Sequence, residues 1–204
     1  MINRITMQPY TQKTFNIPEL SGISKKNIEE HLKLYAGYVK NTNLIMEKIT
    51  EYKKDSEKYA YELGELQRRF SFEYNGMKNH EYYFDSLSGG STALTPSGAL
   101  AKEIEAEFGS FESWLNMFKA IALMRGIGWA VLAWDYAAKQ FVHIWVDEQH
   151  LGQLNGVCWI LGLDMWEHAY VYDYPTSEKK KYIDAFFENL NWAEIEKNFT
   201  ELEN

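Results

Sequence analysis

The apolar period of this chain changes once, and that change limits what it can fold into. Ile28, Leu32, Tyr35, Val39, Thr42, Met46 and Ile49 recur at helical spacing. A second helical stripe runs through Leu63, Leu66, Phe70, Tyr74, Met77, Phe84 and Leu87. Past residue 127 the pattern is that of strands: Gly128 to Trp134, then Phe141 to Val146, joined by a turn at Asp135–Gln140 as a hairpin. Val157 to Leu163 is a third apolar run of strand length and leads directly into Asp164. Long helices followed by a small sheet imply an α+β chain.

Punctuation refines this outline. Residues 1–22 read as an extended arm, and Ile23-Ser24 as the staple and N-cap of the first helix. Asp55-Ser56-Glu57 marks the start of the second, so the two long helices form an antiparallel hairpin. Ser88-Gly89-Gly90-Ser91-Thr92 is the clearest linker. It divides the chain into a helical-hairpin lobe, 1–92, and an α/β lobe, 93–204. In the second lobe a three-stranded antiparallel sheet is flanked by helices at Pro96–Phe108, from the cap Ser110 to about Met124, and at Ser177–Phe199.

A formal charge of -8 argues against nucleic acid as a partner, because phosphate binding needs a basic surface. No apolar run reaches the length of a membrane span, and the first residues lack the apolar segment of a signal peptide. One cysteine, Cys158, excludes an intrachain disulfide and points to a reducing, cytoplasmic compartment. Aromatic residues are 16% of the chain, enough for a bulky core or an aromatic-lined site.

Chemistry concentrates on histidine. Of the five, His31 sits beside the first helical stripe, His80 lies on the buried face of the second, and His168 follows the third strand. One histidine on an apolar face is usually a satisfied core residue. Three of them with a buried-looking Asp164 shift the weighing, since a buried carboxylate needs a partner and a metal ion is an economical one. Asp164 and His168 are four apart, so a helical turn after the strand points both the same way. His143 alternates with apolar strand residues and reads as structural.

Asp164-Met165-Trp166-Glu167-His168-Ala169-Tyr170 resembles the D-x-W-E-H-A-Y signature of the iron/manganese superoxide dismutases. Ile28-Glu29-Glu30-His31 is similar to the segment carrying that family's first histidine ligand. Asn79-His80-Glu81-Tyr82-Tyr83-Phe84 resembles the segment carrying its second. Phe108-Gly109-Ser110-Phe111, Gly126-Ile127-Gly128-Trp129 and Asn191-Trp192 agree in order, so the resemblance spans residues 15 to 199.

The resemblance implies one iron or manganese ion per chain, held by His31, His80, Asp164 and His168 with a solvent molecule as fifth ligand. It implies superoxide as substrate, with dioxygen and hydrogen peroxide as products. It also implies a homodimer, or a higher assembly of dimers, in which Glu167 bonds the partner's His168. Trp129, Trp166 and Phe84, which stands where the family commonly has Trp, would wall the site, and Tyr170 belongs to the same motif.

Two departures stand out. The family places a gateway tyrosine eight residues after its first ligand and a histidine four after it. Here Tyr38 is seven after His31, and Tyr35 is four after. A one-residue deletion that straightens the helix would leave Tyr38 as gateway and Tyr35 in the histidine's place. The group that hydrogen-bonds the metal-bound solvent is the second departure. One of its usual positions is Gly76, which leaves the loop Asp147–Gly152, where His150 is the expected donor and Gln149 the runner-up. A histidine there leans the metal slightly toward iron. Lys179, Lys180 and Lys181 could add positive potential at the mouth, or form a solvated helix face.

The altered first helix also motivates an alternative, a dimeric metal-binding protein on the same fold with lost or different redox activity. A non-haem oxygenase is a third reading. Those sites commonly use two His and one carboxylate, leaving more open positions than three His and one Asp do.

Overall fold

A computed structural model describes residues 8–203. The first seven residues of the expected arm lie outside the described residues, and residues 8–22 form no regular element. Helix α1 spans Lys25–Tyr52, and Ser24 caps it as expected, its hydroxyl accepting from the Asn27 N–H. Helix α2 spans Ala60–Leu87 and starts five residues later than Asp55 suggested. Between them, a 3-10 turn at Lys53–Asp55 and an Asp55 carboxylate accepting from the Lys58 N–H reverse the chain (3.3 Å). Tyr52 stacks on Tyr59 across this reversal at 4.4 Å. Side chains then meet in reversed order, Tyr38 over Gly76 and His31 against His80, which makes the pair an antiparallel hairpin.

Helix α3 covers Ala99–Phe108 and α4 covers Phe111–Ala122. The expected start at Pro96 gives way to a turn, and the Glu196 carboxylate accepts from the Leu100 N–H. Strands β1 (Gly128–Asp135), β2 (Gln140–Asp147) and β3 (Val157–Asp164) form an antiparallel sheet ordered β2-β1-β3. The closing helical region is two helices, α5 (Lys179–Glu188) and α6 (Trp192–Glu203). Asn189 and Asn191 break it. The Asn189 amide bonds Ser21 and Ala185, and Asn191 donates to the Ser88 carbonyl while its Oδ1 accepts from the Glu194 N–H.

The core lies where the sheet meets α2, α4 and α5. Trp114, Phe118, Leu132, Leu161, Tyr182 and Phe186 are all buried there. Asp164, at the end of β3, pairs with Trp129 at the start of β1. One end of the sheet therefore faces the hairpin just where α1 and α2 present His31 and His80. Among the described residues no helix is long and apolar enough to cross a membrane.

Helix α1 is regular throughout, so the shortened spacing is absorbed without a bulge. Seven residues make about two turns, which keeps Tyr38 on the face of His31. Gly76 makes room for it: a Cβ there would come within 2.6 Å of Tyr38 Cε1. Replacing a helical glycine by alanine ordinarily stabilises by about 0.5–1 kcal/mol. Gly76→Ala should instead destabilise by about 1–3 kcal/mol through overpacking. Thermal unfolding measures this, and an unchanged or raised midpoint would show that the Tyr38 ring moves aside freely.

Candidate metal centre

Four side chains from four elements converge. His31 comes from α1, His80 from α2, Asp164 from the end of β3, and His168 from the 3-10 turn Glu167–Ala169. Their donor atoms lie within 4.8 Å of one another. Asp164 Oδ2 is 3.1 Å from His31 Nε2, 3.2 Å from His168 Nε2 and 3.7 Å from His80 Nε2. His31, His80 and Asp164 have no solvent exposure.

Each side chain is set by its surroundings. The His80 Nδ1–H donates to the Gly76 carbonyl at 2.6 Å, which leaves the Nε2 lone pair aimed at the cluster. That Nε2 is buried and has no hydrogen-bond partner among the described residues. Asp164 Oδ1 accepts from the Trp166 N–H (2.8 Å), and the Asp164 carbonyl accepts from the Tyr182 hydroxyl (2.9 Å). Trp166 donates its indole N–H to the Glu148 carbonyl and stacks on His168.

Burial lowers the pKa of His31, and it lowers that of His80 to about 3 with His31 adding to the shift, so both rings are held neutral. Burial works to raise the Asp164 carboxyl, but the adjacent His168 and His31 outweigh it and hold it well below the usual carboxylate range. The neutral rings of His31 and His80, each with a buried nitrogen that has no partner among the described residues, join His168 around an ionised carboxylate, a donor set that fits a divalent or trivalent transition-metal ion.

The surrounding wall is aromatic. Phe84 packs against His31 and His80, and Trp129 meets His80 edge-on at 5.2 Å. Tyr170 stacks on Tyr182. Tyr38 lies against His80 at 5.0 Å, and burial pushes its hydroxyl pKa well up. Tyr35 is buried, accepts from the Lys13 N–H and donates to Glu81, with no bond to the four clustered residues. Burial raises its pKa to about 12.

On the loop after β2, the structure turns Gln149 inward. Its Oε1 accepts from the Trp129 indole N–H and its Nε2 donates to the Tyr38 hydroxyl, each at 3.0 Å. His150, the expected donor, turns toward Phe72 and bonds none of the cluster. The loop is tightly built. Glu148 is left-handed (φ 51°), Asp147 and Leu151 bridge through their backbones, and the buried Asn79 amide donates to the Gln149 carbonyl. Glu167 is exposed, beside exposed Val171 and Tyr172, and its carboxylate has no bond among the described residues. Of the three lysines considered for the mouth, Lys179 donates to the Met124 carbonyl and Lys181 pairs with Glu178.

Sequence reasoning missed Tyr83 and Tyr182. Tyr83 packs on His31, and its hydroxyl meets that of Tyr182 at 3.2 Å. Tyr83 sits inside the His80 segment, which is the signal that could have found it. Tyr182 carries no local signal.

The fold and site define a class, a single-ion metalloenzyme built between a helical hairpin and a small antiparallel sheet. Comparison with known proteins narrows it. The alpha-hairpin domain model of the iron/manganese superoxide dismutases matches residues 14–88, and the C-terminal domain model matches residues 96–198. An iron superoxide dismutase from Aquifex pyrophilus is 37% identical over 186 residues, covering 88% of this chain and 85% of the relative. A manganese superoxide dismutase from Mycobacterium lepraemurium is 33% identical over 186 residues, covering 90% and 86%. The second manganese superoxide dismutase of Halobacterium salinarum is 44% identical over 107 residues, 52% of each chain. The chain belongs to the iron/manganese superoxide dismutase family.

The buried neutral histidines set a pH dependence. Between the ordinary imidazole value of 6.5 and about 3, the unfolded chain binds a proton at His80 that the folded chain refuses. The unfolded state then holds more protons, so stability rises with pH across that window and is lost as pH falls through it. Metal-stripped protein should therefore lose denaturant resistance steadily from pH about 7 to about 4, with His80→Gln flattening the slope. An equal slope in both proteins would show that His80 is not the group responsible.

Proposed function

We propose that this dismutase converts superoxide to dioxygen and hydrogen peroxide at one iron or manganese ion held by His31, His80, Asp164 and His168. The observation that carries this ligand set is the convergence of three imidazole nitrogens on one buried carboxylate oxygen, with His80 Nε2 orphaned. Bound there, such an ion supplies reversible one-electron chemistry, which zinc does not.

The chain's own residues do the rest. Asp164 brings negative charge into a dry site, and the neutral His31 and His80 bring none. Trp129 and Phe84 keep bulk water from the ligands. Trp129, Gln149 and Tyr38 form one line of hydrogen bonds in which the Gln149 amide is held at both ends. In this reading Gln149, not His150, is the polar group at the site, and Tyr38 ends the line nearest solvent. The Tyr38 hydroxyl accepts from Gln149, which leaves its own O–H free to donate onward, the geometry of a proton relay. With Gln149 in this place the argument for iron drawn from His150 falls away, and either ion fits.

The two lobes, 1–92 and 93–204, each contribute two ligands. The exposed Glu167 beside Val171 and Tyr172 supports a homodimer in which it reaches the partner's His168. The single cysteine supports a reducing, cytoplasmic setting. The altered first helix gives little ground for a lost activity, since Tyr38 still meets Gln149.

Dismutation and metal content measured on one purified sample test this reading. Activity should track about one iron or manganese per chain, and His80→Ala should abolish both metal and activity. A fully loaded but inactive protein would overturn the activity, and a fully loaded His80→Ala would overturn the ligand set. Glu167→Ala should lower the sedimentation coefficient at low concentration; an unchanged profile would remove Glu167 from the interface.

A further inference from the structure

The ring contacts around the centre are not symmetric. His80 touches Trp129 at 5.2 Å between ring centroids, Trp129 touches Trp159 at 5.9 Å, and Trp159 touches Tyr82 at 5.7 Å. The Tyr82 hydroxyl then lies 3.5 Å from the Cys158 thiol. Every link is within the range of direct aromatic contact. The chain runs outward, from fully buried His80 and Trp129 to half-buried Tyr82 and Cys158. It ends in a cleft of about 550 Å³ lined by Trp159, Tyr82, Cys158, Lys13 and Gln153, on residues the dismutase site does not use.

The central contact depends on a missing side chain. A Cβ on Gly162 would come within 2.8 Å of the Trp159 ring and 3.9 Å of Trp129 Cε3. Glycine at this point of β3 lets Trp159 lie back across the strand against Trp129. Indole, phenol and thiol are the side chains most readily oxidised by one electron. The other branches do not lead outward to a thiol: Tyr38 continues only to Phe72, Phe84 is itself resistant, and Tyr83, which touches His31 and Trp129, leads to the buried Tyr182 and Tyr170. His168 stacks on Trp166, from which no further oxidisable ring follows.

We propose that Trp129, Trp159, Tyr82 and Cys158 form a conduit that carries oxidising equivalents away from the metal centre, with the Cys158 thiol as its terminal site of one-electron oxidation. The oxidant is hydrogen peroxide, so the proposal rests on the dismutase reading, which makes peroxide a product inside the site. Peroxide takes one electron from the reduced ion and one from Cys158, and its O–O bond breaks to give hydroxide and water. The Cys158 S–H bond gives up its hydrogen as that electron and the proton that completes the water, leaving a thiyl radical. The rings between are oxidised in turn and restored, and damage is moved from the ligands to the half-buried thiol at the cleft.

The test uses iron-loaded protein treated with hydrogen peroxide and a nitrone spin trap, the adducts being located by peptide mass mapping. Adduct should form at Cys158. Tyr82→Phe keeps the ring but loses the oxidisable hydroxyl, and should abolish the Cys158 adduct, moving it to Trp159 or Trp129. Cys158→Ser should leave it on Tyr82. Metal-free protein should show no adduct. A Cys158 adduct that survives Tyr82→Phe or metal removal, or an adduct on Trp166 in place of Cys158, would overturn the conduit. Metal content and dismutation are read on the same samples. A Tyr82-dependent Cys158 adduct in loaded but inactive protein supports the conduit and counts against the dismutase reading, and an active protein whose adduct ignores Tyr82→Phe does the reverse.

Discussion

The buried carboxylate of Asp164 is the constraint to which the rest of this structure answers. Removing such a charge from water costs several kcal/mol unless hydrogen bonds and opposite charge offset it. Here both carboxylate oxygens accept hydrogen bonds. The Trp166 N–H meets one oxygen, the imidazoles of His31 and His168 meet the other, and the Tyr182 hydroxyl holds the residue's own carbonyl. Those partners come from the hairpin, the turn after β3, and α5. The same residue pairs with Trp129 across the sheet. One desolvated charge therefore ties the helical hairpin to the strands, and a metal ion bound there would tighten that tie by satisfying the nitrogen left open on His80.

Much of the fold and of the ligand cluster is legible in the sequence, and what is not legible has a common cause. The helical stripes and the three strands are period signals, carried by residues close in sequence, and the structure follows them. The late start of α2 is not a period signal: a 3-10 turn occupies Lys53–Asp55, and Tyr52 stacks on Tyr59 across the reversal. The break between α5 and α6 depends on Asn189 reaching Ser21 and Asn191 reaching Ser88, partners about a hundred or more positions away. The loop after β2 shows this most clearly. Family resemblance could point to the loop, but whether Gln149 or His150 faces inward turns on one left-handed residue, Glu148, and on Asn79 grasping the Gln149 carbonyl from α2. Neither is visible as a pattern in the loop itself.

The shortened first helix shows how a deletion is tolerated. With one residue fewer, Tyr38 stays two turns from His31 and on its face. A ring placed there would strike α2 at any residue with a side chain, and α2 carries glycine at that level. The Gly76 carbonyl meanwhile fixes the His80 tautomer. One residue thus orients a candidate ligand and makes room for the candidate proton donor. Tyr35, one turn from His31, is drawn instead to Glu81 and the backbone of Lys13, and so fastens the N-terminal arm to the hairpin.

The wall that dries the centre is not chemically uniform. On the hairpin side it includes Phe84, which resists oxidation and offers no proton, beside the phenols of Tyr38 and Tyr83. On the sheet side it is Trp129, whose N–H is needed to orient Gln149. Phenylalanine at that position could not donate the bond, so the polar line to Tyr38 requires an oxidisable ring within contact distance of His80. A site that generates peroxide therefore has its most vulnerable wall where its hydrogen-bonding demand is greatest. The stability of that wall under turnover depends on what lies behind Trp129, and behind it the sheet has placed another indole, with Gly162 leaving the space that lets the two meet.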